Sequence, residues 1–437
     1  MRRLALIATA AALCAGLTGF AALEHTSPAP LPSWASAPAA DAAHTPTSIG
    51  NVIGRLQVRL RRQPADAASW AQLGSAYVEQ ARLAVDPTLY PKAETALRRS
   101  LELRPDTNTV AQTGMAGLAN ARHQFIQART WADQAVTGNP YAWAAYGALA
   151  DALTQLGDDQ GAEAAVQRML DLHPSTASFT RAAYILELQG RTEEAAQALR
   201  RGLEDASNPA DEAFCQHYLG ELAFNTGATT PALQRYRKAL ALDPSFTAAL
   251  AGAARAEAAL GQSDRAVTDY RTAISRVPQP QYVLELGELL ESLGRPTEAR
   301  AQYLVLEAEQ KLFAINGVVD DLNLGQYQAD HGNPRLAVTL LTAEWGRRRS
   351  VLVADALSWA LHRAGQDAQA LPLAREANRL GWRDATVRYH RGVIEQSLGD
   401  DQPARTDLAG ALAANPVFSP LHAPDARARL ARLEGQQ

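Results

Sequence analysis

The chain has 437 residues, 47% of them hydrophobic and 20% charged, with a formal net charge of −4. That is enough apolar material for a core, which excludes a wholly disordered chain, and the lack of a basic excess excludes nucleic acid as the expected partner. Aromatic residues make up only 6%, and the two cysteines are Cys14 and Cys215. A disulfide framework and a cysteine-rich zinc site are thereby excluded beyond the N-terminal segment, and close helix packing is favoured over a β-sandwich.

The first element is an address. Met1-Arg2-Arg3 is a short positive region, and Leu4 to Leu23 carries no charge. Residues 1–23 therefore read as an export signal, or as a signal anchor, since 20 uncharged residues suffice to span a bilayer and residues 4–23 could tether the protein to a membrane. Leu13 before Cys14 argues against lipid attachment. The rest of the chain is expected outside the cytoplasm, in a periplasmic or similar compartment. Residues 24–64 read as a Pro/Ala/Ser-rich linker followed by a short helix, with Val52, Leu56 and Leu60 at helical spacing and Pro64 as its stop.

From residue 65 a repeat sets in. Pro105, Pro140 and Pro174 are 35 and 34 residues apart, and Pro244 and Pro278 another 34. Gly157, Gly190, Gly227, Gly261, Gly294, Gly332, Gly365 and Gly399 each end an apolar-periodic run. Five residues after each stands an alanine, from Ala162 and Ala195 to Ala370 and Ala404. A glycine at this place ends one helix by taking a left-handed conformation. A polar turn follows, and small residues let the second helix approach closely. Proline then ends the unit. Such a pair cannot bury its apolar face alone, so units stack.

The spacing resembles the tetratricopeptide repeat (TPR) family. The first unit carries Trp70, Leu73, Gly74 and Tyr77, then Ala93, Leu97 and Pro105, with about seven extra residues between its helices. A later unit has Leu219, Gly220, Ala232, Tyr236, Ala239 and Pro244, and the last has Gly392, Ala404, Leu408, Ala411 and Pro416. The expected fold is all-α, a right-handed superhelical solenoid of helix-turn-helix repeats. About ten TPR-like units fill 65–417, and residues 418–437 form a capping helix. The unit that runs through LEAEQKLFAINGVVDDLN lacks its proline, which predicts a longer second helix there.

Catalytic patterns are missing. There is no GxSxG elbow, no GxxxxGK[ST] loop, no HExxH and no calcium-loop pattern, and Lys92, Lys238 and Lys311 are the only lysines. No enzymatic activity, cofactor or metal is therefore expected. The resemblance implies a non-catalytic scaffold or adaptor that binds a protein or peptide partner in a concave groove lined by the first helix of each pair. Carried over by register, that groove takes Tyr184, Glu187, His217, Glu221 and Asn225 from its middle units. Arg255, Glu288, Gln326 and Asp330 follow, then Trp359, Arg363 and Tyr389. The last three are residue types enriched at interface hot spots, and Trp359 and Arg363 lie one helical turn apart. One step in register would instead place Trp359 in the core between repeats. A rival expectation is a ligand-binding or enzymatic component with its site in the irregular region 308–349.

Overall fold

The computed structural model describes residues 46–435. The signal or anchor expected over 1–23 and the linker up to residue 45 lie outside the described residues. Within them the chain is helical throughout. α1 (Pro46–Arg62) precedes ten antiparallel pairs: α2 (Ala67–Ala84) with α3 (Tyr90–Leu103), α4 (Thr109–Ala121) with α5 (Phe125–Gly138), α6 (Trp143–Leu156) with α7 (Asp159–Leu172), α8 (Thr176–Leu188) with α9 (Thr192–Glu204), and α10 (Pro209–Asn225) with α11 (Thr229–Leu242). The second five are α12 (Thr247–Ala259) with α13 (Ser263–Arg276), α14 (Pro280–Ser292) with α15 (Pro296–Ile315), α16 (Leu322–His331) with α17 (Pro334–Arg347), α18 (Val351–Arg363) with α19 (Asp367–Ala377), and α20 (Ala385–Ser397) with α21 (Asp401–Ala414). α22 (His422–Glu434) closes the array. It is an all-α solenoid in which each helix pair packs on the next. α15, at 20 residues, is the longest helix among those described, where the terminating proline is missing.

Local chemistry sets these boundaries. Asp66, Asn108 and Asn208 accept hydrogen bonds from the free backbone N–H groups at the starts of α2, α4 and α10. Pro209, Pro280, Pro296 and Pro334 stand in the first turn of their helices, where a missing N–H costs nothing. Asn139, Asp243, Val277 and Asn415 adopt extended backbone after their helices, each just before a proline that forbids the helical region. Seven of the eight turn glycines have positive φ; Gly332 instead has φ −130°, with the Gln328 side chain folded over it.

The core is a ladder of small residues under large ones. The eight alanines after the turn glycines are each at most 1% exposed. A Cβ at Gly74 would lie 2.5 Å from the Leu97 side chain, and one at Gly220 2.6 Å from the Tyr236 ring. The same arrangement recurs for Gly325 and Leu341, so the first helix must be glycine where the second is bulky. α1 buries Ile49, Ile53, Leu56 and Leu60 against Leu73 and Ala96, which makes it the first layer of the stack.

The superhelix also closes on itself. The turn inside pair 2 meets the segment after α15: His123 Nδ1 is 3.8 Å from Asp320, and Val318 packs with Met115 and Leu118. Pair 3 meets the end of pair 8, where Arg348 donates to Gln155 at 3.2 Å and the Arg349 carbonyl would lie 2.6 Å from a Cβ at Gly157. Gly190 of pair 4 sits against the Gly381 carbonyl after pair 9. In pair 5 the Phe224 carbonyl accepts from Asn415 Nδ2 at 2.8 Å, just after pair 10. In these four contacts the offset is five pairs, and Arg379 after pair 9 adds an ion pair to Asp159 of pair 3, six pairs back. Gly261, Gly294, Gly365 and Gly399, in the corresponding turns of the second coil, face open space.

Candidate functional site

The first helices of the pairs line the inner face, and their polar side chains connect from one pair to the next. Glu187 accepts from Asn225 at 2.8 Å. Glu221 takes Arg255 at 2.5 Å and the Tyr236 hydroxyl at 2.6 Å. Arg255 lies 3.6 Å from Glu285 and 4.6 Å over the Phe224 ring. Tyr270 donates to Glu285 at 2.9 Å. Burial pushes all three carboxyls upward. For Glu221 the charges of Arg255 and His217 overcome it and hold the group at about 2. For Glu187 the Asn225 amide and the more distant Arg255 charge do not overcome burial, and the group is pushed up to about 7. Glu285 also stays above the usual carboxylate range.

Farther along, His331 lies 3.5 Å from Glu288 and 3.1 Å from Glu291. Burial opposes its protonation, but the two carboxylates outweigh it and raise its pKa. Asp330 accepts from Trp359 Nε1 at 2.9 Å and lies 3.4 Å from Arg363 and 3.8 Å from His422.

Closure of the superhelix turns part of this face into a cavity of about 610 Å³ between α10 and α22. Six of the twelve residues expected from the repeat register line it: Asn225, Arg255, Glu288, Gln326, Asp330 and Trp359. Tyr184, Glu187, Glu221 and Arg363 stand outside its wall. Burial and the nearby Glu187 raise the Tyr184 phenol, and Arg363 reaches the Ala329 carbonyl at 3.2 Å.

Three expectations need correction. Trp359, Tyr389 and His217 are only 4%, 3% and 9% exposed, so they are not open surface anchors. The cause for Trp359 and Tyr389 is the end of the chain. Phe418, His422 and α22 fold across this part of the inner face. The Tyr389 hydroxyl donates to Asp425 at 2.8 Å, its ring stacks on His422 at 4.9 Å, and Trp359 stacks on His390 at 4.2 Å. Trp359 still contributes to the cavity wall. His217 is enclosed by Tyr218, Tyr236 and Phe246, within 5.8 Å of each ring.

Register reasoning missed Asp355, Trp382, Asp384 and His390, which line the same cavity. His390 Nδ1 faces both oxygens of Asp355 at 3.0 Å. Burial disfavours its charge, yet Asp355 prevails and raises its pKa. His390 Nε2 makes no hydrogen bond. The loop before α20 brings in Trp382 and Asp384, and no repeat pattern marks a loop.

One cluster of metal-ligand type occurs in the irregular region. His123, Asp320 and Glu344 bring donor atoms within 4.8 Å of one another. Arg347 and Arg348 already neutralise Glu344, Asp321 and Asp320, so the group acts as a clamp between coils. A cation there would face two guanidiniums.

A tetratricopeptide-repeat family model matches residues 251–311. No curated protein matches the chain. Among solved structures, the human IFIT1 dimer with PPP-AAAA is 18% identical, covering 72% of this chain and 73% of that one with a TM-score of 0.48. The APC/C hetero-tetramer Cut9–Hcn1 is 16% identical over 83% and 76%, with a TM-score of 0.42. PilW, a type IV pilus biogenesis factor, is 21% identical over 46% and 92%, with a TM-score of 0.39.

Proposed function

The chain is a tetratricopeptide-repeat solenoid, and from that premise we propose that it is a non-catalytic scaffold that holds a protein or peptide partner. The partner site in this reading is the cavity between α10 and α22. One observation carries it: six residues placed in the groove by repeat register come together on the wall of a single bounded cavity. A volume of about 610 Å³ lies within the range of pockets that enclose a ligand or a few side chains. A photo-crosslinking amino acid in place of Asn323, on the wall, tests it against one in place of Lys92, on the outer surface. Adducts formed from position 323 and not from position 92 support the reading; adducts from position 92 alone reject it.

We also propose that the protein is exported and works outside the cytoplasmic membrane, either released or held by residues 4–23. The support is the Met1-Arg2-Arg3 start followed by an uncharged run to Leu23. Alkaline phosphatase fused after Gln437 should be active, and N-terminal sequencing of membrane and soluble fractions should show whether the segment is retained. An inactive fusion made in full amount would place the protein in the cytoplasm.

A further inference from the structure

The long helix α15 is bare on one side. Its inner side packs on α14 and, through Phe313, on the cluster around Met115 and Leu118, while it meets α16 only slightly. The opposite side carries Ala301, Leu304, Val305, Ala308, Leu312 and Ile315, all exposed. Leu304, Leu312 and Ile315 are 60%, 47% and 83% exposed, and no described residue covers the stripe. Steps of three and four residues hold these side chains on one helix face.

Neighbouring units carry no such stripe. At the position of Leu304, α11 has Arg237, α13 has Arg271 and α17 has Thr342. At those of Ala301 and Ala308, α13 has Thr268 and Ser275. The second helix of a pair therefore has no need of an apolar outer face to build the stack. At ordinary side-chain sizes the stripe exposes roughly 500 Å², high for a monomer and, with its polar rim, near the ~800 Å² that each partner buries in a standard interface.

The row is also complementary to itself. Ala308 stands at its centre, with Leu304 and Leu312 one turn to either side and Ala301 and Ile315 two turns. A two-fold axis at Ala308 lays a second α15 antiparallel on the first. Leu304 then meets Leu312 of the second copy, and Ala301 meets Ile315, small against large. The two Ala308 methyls let the helices cross closely. On one flank Glu307 and Lys311 lie on either side of the axis, so the two-fold brings opposite charges together. A lipid surface would ask for a mainly basic rim, whereas Glu298 and Glu307 stand beside Arg300 and Lys311 here.

We propose that the outer face of α15 is a self-association surface, on which a second copy of this chain docks antiparallel about Ala308 to form a two-fold dimer. No residue of α15 lines the cavity between α10 and α22, so the dimer contact and the partner site are tested independently.

Oxidative crosslinking and sedimentation provide the test. Ala308→Cys, in a Cys14→Ser background that leaves only the buried Cys215, is made in cells carrying two differently tagged copies of the full chain. Copper–phenanthroline should link the two tags through residue 308. Lys238→Cys, exposed on α11, should link them at least tenfold less. Sedimentation of the purified full chain should give the mass of two copies. Leu304→Glu with Leu312→Glu should raise the dissociation constant and lower the crosslink at 308 at least tenfold each, with the thermal melt unchanged because both side chains are exposed. A one-copy mass at every concentration, equal linking from 238 and 308, or a two-copy mass indifferent to the glutamates would overturn the proposal. A one-copy chain that binds phosphatidylglycerol vesicles through Leu304 and Leu312 would assign the stripe to lipid instead. An intrachain bond between Cys14 and the Ala308→Cys thiol, in a one-copy chain that keeps Cys14, would assign it to the N-terminal segment.

Discussion

Glu187 and Glu221 stand one repeat apart on the same inner face, yet they titrate in opposite directions. Arg255 touches Glu221 and acts on Glu187 only from a distance, so charge decides Glu221 and burial decides Glu187. For Glu187 the folded value of about 7 lies above the ordinary 4.5, so the folded state holds the proton more tightly. Its ionised form costs stability, the cost growing as pH rises from 4.5 to 7. Glu187→Gln keeps an oxygen for Asn225 and should stabilise by about 1–2 kcal/mol at pH 8, with almost no gain at pH 4. Thermal melts at both pH values check this. For Glu221 the sign reverses. Its folded value of about 2 is below 4.5, so its contribution is present above pH 4.5 and is lost as pH falls toward 2. Arg255→Met leaves that half-buried carboxylate with the Tyr236 hydroxyl but no guanidinium and should cost about 1–3 kcal/mol at pH 7 in urea unfolding, with the loss shrinking by pH 3. The inner positions of these residues were legible because a 34-residue register carries a face from one unit to the next. Trp359 and Tyr389 obeyed the same register, but Phe418 and α22 cover them, and nothing in the local sequence marks what a distant segment will cover.

At the scale of the helix pair, sequence and structure agree closely because the determinants are local. A glycine, an alanine five residues later and a terminal proline each act within one turn of where they stand. The departures are local too. Gly332 does not take the left-handed conformation because the Gln328 side chain supplies its oxygen to the Asn333 N–H and closes that turn. Two glycine substitutions separate the roles of this residue type. Gly220→Ala places a methyl 2.6 Å from the Tyr236 ring and should cost about 1–3 kcal/mol by overpacking. Gly261→Ala meets no atom but must hold φ +76°, and should cost about 1 kcal/mol. Chemical denaturation of the two variants should rank them in that order; equal losses would mean that the small-under-large ladder does not set the spacing of the pairs.

The whole molecule has a property that no single pair shows. Four turns of the first coil touch four ends of the second five pairs on, with the Arg379–Asp159 ion pair beside them. The contacts use a buried asparagine, backbone carbonyls, glycines and two arginines. They join residues about 190 positions apart and follow no periodic signal, so the cavity they enclose was not legible, although half of its expected lining was. Asn415→Ala removes the donor to the buried Phe224 carbonyl and should cost about 1–3 kcal/mol. Combined with Arg348→Ala it should raise hydrogen exchange at 224–230 and 414–418 together and increase the radius of gyration in small-angle scattering. Unchanged scattering would show that the coils hold without these ties.

Open repeat arrays can gain or lose a unit with only local effect, since each unit touches its neighbours alone. A coil whose successive turns meet at a fixed offset lacks that freedom. Excision of one complete unit between the tied partners, such as 247–278, would turn every five-pair match into a four-pair match and misalign all of the ties in one step. The number of repeats in this protein is thus held by its geometry, as the number of staves is held in a hooped barrel.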